Sequence, residues 1–156
     1  MKRFHVSLSV QDLQRSVEFY TTLFDAAPTV LKTDYAKWML DDPKINFSLG
    51  ISAGNNGVSH VGLQLDDMQQ LAEIKRRLHV AGQNAFDQPE AECCYAKSSK
   101  TWVRDPDDVA WEAFVTHAET THYGNDFEAE QSVRRPVEAA DLSACCKTAS
   151  NSSCCR

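Results

Sequence analysis

No apolar run in the 156 residues approaches the roughly 18 needed to cross a bilayer as a helix, so a helical membrane span is excluded. The chain opens Met1-Lys2-Arg3-Phe4 and passes straight into a strand pattern, with no signal-peptide core. The expectation is a soluble cytoplasmic protein. Positive charge is also scarce. The formal net charge is −6, and the one basic run, Lys75-Arg76-Arg77, sits inside a helical pattern. An extended nucleic-acid surface would need a basic face, so no nucleic-acid partner is expected. Glycine-rich phosphate loops and a Ser/His/Asp arrangement are missing too. These absences remove the commonest nucleotide-binding and serine-hydrolase chemistries.

What the chain does have is a repeat. HVSLSVQDLQRSVEFYTTL, from His5, returns 55 residues later as HVGLQLDDMQQLAEIKRRL, from His60. Identical pairs include His5/His60, Val6/Val61, Leu8/Leu63, Asp12/Asp67 and Leu23/Leu78. Each copy opens with a histidine on an alternating run and then enters helical spacing. Such a repeat is one supersecondary unit used twice. If the copies pack about a pseudo-twofold axis, His5 and His60 converge, and two converging histidines are most of a metal site.

The rest of the chain divides accordingly. Phe4–Val10 reads as a strand, and Asp12 caps a helix carrying Leu13, Val17, Tyr20, Leu23 and Phe24. Strands are expected at Thr29–Lys32, Tyr35–Leu40 and Ile45–Ile51, with turns at Asp41-Asp42-Pro43 and Gly54–Gly57. The second unit has a strand at Val58–Leu65, a helix from Asp67 to Val80 ended at Gly82, and strands at Glu92–Ser98, Thr101–Arg104 and Val109–Thr116. Each half reads βαβββ. The expected organisation is an α+β domain over 1–117, with modules at about 1–53 and 56–117. A flexible tail over 118–156 follows, poor in apolar periodicity.

A third ligand is legible beside the histidines. In Val109-Ala110-Trp111-Glu112-Ala113-Phe114-Val115 the carboxylate of Glu112 shares its face with Ala110 and Phe114. A charge on such a face is costly unless paired or metal-bound. Two histidines and one carboxylate form the facial triad of non-haem Fe(II) oxygenases, so His5, His60 and Glu112 are the expected metal ligands and Fe(II) the expected ion.

All six cysteines occur as neighbours: Cys93-Cys94, Cys145-Cys146 and Cys154-Cys155. Adjacent cysteines close only a strained ring with one another, and in a reducing compartment paired thiols point to soft-metal or redox chemistry. Cys93-Cys94 lies in the folded region, beside Tyr95, Lys97 and Lys100. The two lysines are candidates to anchor an anionic group.

Two βαβββ units with ligands on their first and last strands resemble the vicinal oxygen chelate superfamily, which holds glyoxalase I, extradiol dioxygenases and bleomycin- and fosfomycin-resistance proteins. The resemblance covers about residues 1–117. Within that group the chain looks most like the Fe(II)-dependent organoarsenical C–As lyases and the cadmium-induced proteins. The opening with His5, VSHVGLQL with His60, CCYAKSSKTWV with Cys93-Cys94, and WEAF with Glu112 carry it, as does a cysteine-containing tail. The family often has Gln where this chain has His5; both are ligand types.

The resemblance implies capture of a trivalent methyl or aromatic organoarsenical by Cys93 and Cys94, O2-dependent cleavage of its carbon–arsenic bond, and release of arsenite. Cys93, Cys94 and Lys100 are then the expected catalytic side chains, and Cys93, Cys94 and Tyr95 the expected substrate contacts, in a monomer or homodimer. The alternatives are a thiol-based cadmium- or arsenic-binding protein without turnover, or another glyoxalase- or dioxygenase-type enzyme.

Overall fold

The computed structural model describes residues 2–52, 54 and 56–120. The expected tail beyond Thr120, with its four cysteines, lies outside the described residues. The elements run β1 (Arg3–Val10), α1 (Leu13–Phe24), β2 (Val30–Leu31), β3 (Tyr35–Asp41), β4 (Lys44–Ile51), β5 (Gly57–Leu65), α2 (Met68–Val80), β6 (Phe86–Cys93), β7 (Ala96–Arg104) and β8 (Ala110–Glu119).

The repeat is a structural repeat. Asp12 caps α1 by accepting from the Arg15 N–H at 2.9 Å, and Asp67 caps α2 by accepting from Gln70 N–H at 2.9 Å. An aspartate at this position satisfies a donor that the first helical turn leaves open. The strands form one sheet in the order β2-β3-β4-β1-β5-β8-β7-β6. Each module's first strand pairs in parallel with its last, β1 with β4 and β5 with β8. The two first strands pair antiparallel at the centre. The histidine-bearing strands therefore lie side by side.

Alternation divides the sheet into two faces. Val6, Leu8 and Val10 of β1 join Leu13, Ala36, Trp38, Phe47 and Leu49 beneath α1. Leu63, Leu65, Ala113 and Val115 join Leu71 beneath α2. Trp38 is fully buried, and its indole N–H donates to the Ala26 carbonyl at 2.9 Å, which satisfies the polar edge of a large apolar ring. The intervening residues, His5 and Ser7, Asn46 and Ser48, His60 and Gln64, Glu112 and Phe114, face away from the helices and line a cavity.

Two expectations need correction. The strand expected at Glu92–Ser98 does not exist as one element. The chain reverses within it, between β6 and β7, through Cys94 at φ 54° and Tyr95 at φ 62°. Two successive left-handed residues make the tight turn that suits a hairpin's twist, a turn usually written Asn-Gly. Cys-Tyr carries no such signal. β6 was also unanticipated, because Pro89 interrupts its pattern. It is tolerated since β6 is an edge strand and the register shifts between Gln88 and Ala91. At the far end, β8 continues to Glu119, beyond the Thr116 at which the last strand was expected to end.

Candidate metal and thiol site

One rung of the sheet builds the cluster. Asn46 of β4 pairs with His5 of β1, His5 with Gly62 of β5, Gly62 with Glu112 of β8, and Glu112 with Trp102 of β7. Residues on one rung point to one face, so His5 and Glu112 flank a glycine that has no side chain to fill the space between them. His60, two residues before Gly62, completes the group from the same face. His5 Nε2 lies 3.2 Å from His60 Nε2. Glu112 Oε1 lies 3.2 Å from His5 Nε2 and 3.4 Å from His60 Nε2. All three residues are buried.

The donor set suits a divalent cation. The ring nitrogen of His5 facing away from the cluster, Nδ1, is 2.9 Å from the Asn46 carbonyl. A carbonyl only accepts, so Nδ1 carries the proton and Nε2 presents a lone pair to the cluster. Burial lowers the His5 pKa to about 4 against the raising effect of Glu112, so this imidazole is neutral at pH 7. For His60 burial also lowers the pKa, but the Glu112 charge and hydrogen bond outweigh it and the net shift is upward. Burial would raise the Glu112 carboxyl, yet Lys100 and His60 together hold it well below the usual range. Glu112 Oε2 is 3.2 Å from Lys100 Nζ but accepts no hydrogen bond. It is the other oxygen, Oε1, that faces the two converging Nε2 atoms, and these three donors, one from each residue, fit a cation at their centre. Imidazole and carboxylate donors with further open positions are the ligand set of non-haem iron and related first-row ions.

The thiols join this cluster through Lys100. Its ammonium donates to Cys93 Sγ at 3.0 Å while facing Glu112 Oε2. Cys93 and Cys94 Sγ are 3.3 Å apart; Cys93 is buried and Cys94 partly exposed. Cys93, Cys94, Lys100, His5, His60 and Glu112 line one cavity of about 110 Å³. A buried lysine, hydrogen-bonded to the sulfur and ion-paired with the carboxylate, links the two constellations that the sequence kept 19 residues apart.

Lys97 takes no part: it pairs with Glu92 at 2.5 Å on the surface. Tyr95 turns away from the cavity, and its hydroxyl donates to Asp34 Oδ1 at 2.6 Å. It lines a neighbouring cleft with Lys32, Lys37 and Cys94. Gly62, Asn46 and Asp34 escaped the sequence reading. Gly62 had a usable signal, since a lone glycine inside a strand marks close approach of another group. Asn46 and Asp34 had none.

A family model described as glyoxalase/bleomycin resistance protein/dioxygenase superfamily matches residues 2–113. The chain belongs to this superfamily. Among superfamily relatives, the trivalent organoarsenical cleaving enzyme of Bacillus sp. (strain MD1) is 38% identical over 163 residues, covering 99% of both chains. A probable trivalent organoarsenical cleaving enzyme of Bacillus subtilis (strain 168) is 34% identical over 161 residues, covering 99% of this chain and 100% of the relative. The Mn(II)-bound glyoxalase of Novosphingobium aromaticivorans matches in structure with a TM-score of 0.57 at 16% identity, over 81% of this chain and 43% of that one. At that identity the likeness establishes the superfamily fold alone. Among the described residues no helix is long and apolar enough to cross a membrane.

Proposed function

We propose that this protein cleaves the carbon–arsenic bond of trivalent organoarsenicals, using Fe(II) and O2 in a reducing cytoplasm, and releases arsenite. One observation carries the reading: two adjacent thiols and a buried His/His/Glu cluster line the same small cavity, with Lys100 bridging Cys93 Sγ and Glu112. Thiolates select a thiophilic atom such as trivalent arsenic, while imidazole and carboxylate select a first-row ion, so the donor types sort two different centres into one space. The names of the relatives support the same substrate class.

Capture needs no redox partner. The two hydroxyls of methylarsonous acid leave as water, each with a thiol proton, as two As–O bonds are exchanged for As–S bonds to Cys93 and Cys94. The Lys100 ammonium stabilises negative charge on the Cys93 sulfur as the proton leaves. Anchoring by two sulfurs fixes arsenic and leaves its bond to carbon as the third bond, in the cavity that the His/His/Glu cluster also lines. His5, His60 and Glu112 would hold the iron, which would supply O2 activation when bound; over the whole reaction one O2 takes the methyl carbon to formaldehyde, and two waters release arsenic from the two thiols as arsenite. The Asn46 carbonyl keeps His5 in the tautomer that ligates, and Trp102, 5.1 Å from the His60 ring and buried, keeps bulk water from that side.

The deciding assay is arsenite release from methylarsonous acid in air with added Fe(II). Turnover abolished by removing O2 or Fe(II) supports the reading. Stoichiometric arsenic binding without release of arsenite would instead make the protein a thiol-based sequestering protein, which the Cys93-Cys94 pair alone can also support.

A further inference from the structure

The eight-stranded sheet has two edges, β2-β3 at one end and β7-β6 at the other. Hairpins from these opposite edges meet beside the cavity, which their neighbouring residues Tyr35 and Cys94 line. Tyr95, in the β6–β7 turn, donates its hydroxyl to Asp34 Oδ1 in the β2–β3 connection, 61 residues away, at 2.6 Å. The Tyr95 ring lies 6.0 Å from that of Tyr35 and under the Lys32 ammonium at 5.3 Å. The sheet is thus curled until its two ends touch, and a side-chain hydrogen bond between modules lies on the seam.

What the seam holds is the thiol turn. Cys94 and Tyr95 are both in the left-handed region, without glycine or asparagine to make that conformation easy. Such a turn persists only where surrounding contacts over-determine it. Among the contacts that do so besides the hairpin ladder are the Tyr95 hydroxyl on Asp34 and the Tyr95 carbonyl, which accepts from the Thr120 N–H at 2.8 Å. Asp34 is itself held, because its carbonyl accepts from the Ile51 N–H at 3.1 Å.

We infer that Asp34 is a positioning residue for the thiol pair: through its hydrogen bond to Tyr95 it fixes, from the opposite module, the turn that sets Cys94 Sγ beside Cys93 Sγ. This rests on the reading of Cys93 and Cys94 as the capture site. Two-sulfur capture gains over one-sulfur capture only if the second sulfur is already placed, since otherwise ordering the turn offsets the second bond. Asp34 and Tyr95 touch no reacting atom. Their effect is on affinity for a thiophilic ligand.

The test uses the full-length chain and two probes, methylarsonous acid and Cd²⁺. Protection of Cys93 and Cys94 from iodoacetamide is read by mass spectrometry of their peptide, which separates them from the tail cysteines. Tyr95→Phe and Asp34→Ala each raise the probe concentration for half-protection by about tenfold, the worth of one well-made hydrogen bond. Asp34→Asn keeps an amide oxygen at the acceptor position and restores most of the affinity. A purely structural contact would lower the melting temperature without this affinity shift or its rescue. Half-protection at wild-type concentrations in both Tyr95→Phe and Asp34→Ala overturns the inference. Protection of the wild type by Cd²⁺ but not by methylarsonous acid removes the organoarsenical reading, and the Cd²⁺ series still decides the role of Asp34. Protection by neither probe removes both.

Discussion

Gly62 lies against Glu112 so closely that a Cβ on it would stand 2.2 Å from the Glu112 carbonyl oxygen and 2.8 Å from its Cγ. Neither neighbour is free to yield: one is backbone of the adjoining strand, the other belongs to a side chain buried between His5, His60 and Lys100. Gly62→Ala therefore strains the β5–β8 pairing and displaces the carboxylate together. Overpacking of this kind costs about 1–3 kcal/mol. The expected result is a lower melting temperature and loss of stoichiometric divalent-ion binding, read by calorimetry and elemental analysis of the same sample. Full ion content in Gly62→Ala would mean that Glu112 is not a ligand.

Lys100→Met removes the cation that faces Glu112 and leaves a buried carboxylate short of counter-charge, a change worth about 3–5 kcal/mol. A divalent ion supplies the missing charge. The variant is thus expected to melt well below wild type when metal-free, and to gain more from added Fe(II) or Mn(II) than wild type gains. Equal gains in the two proteins would place the ion away from Glu112.

Cys93→Ser and Cys94→Ser test the division between the two centres. Serine keeps the size of the side chain and removes the soft donor. Each variant is expected to lose turnover of trivalent organoarsenicals while binding iron as wild type does. Loss of iron would put a sulfur among the metal ligands, and unchanged turnover would make the pair structural.

The parts of this site that were legible in sequence are those carried by period and phase. Identical positions in the repeat set His5 and His60 on equivalent strands, and alternation set Glu112 on a buried face. The Cys94-Tyr95 turn was not legible, because its left-handed backbone is imposed by contacts from Asp34 and Thr120 rather than by turn-forming residues. Lys97 and Lys100 looked alike as residues. They differ in setting: Lys97 is exposed against Glu92, and Lys100 is buried against Cys93. The Asp34–Tyr95 bond joins opposite ends of the sheet and leaves no local trace in either segment.

The last prediction concerns the tail. Both described cores close with residues no later than Val115, and the last described backbone contact is made by Thr120. A chain ended after Thr120 is therefore expected to fold, to bind iron and to retain turnover at saturating substrate. The four cysteines beyond it, Cys145, Cys146, Cys154 and Cys155, add thiols tethered to the same chain. Tethering raises their effective concentration near the cavity and favours capture when arsenical is dilute. Truncation should then raise KM with little change in kcat. A collapse of kcat at saturation would make a tail thiol part of the reaction, and failure to fold would show that the domain needs the tail for its core.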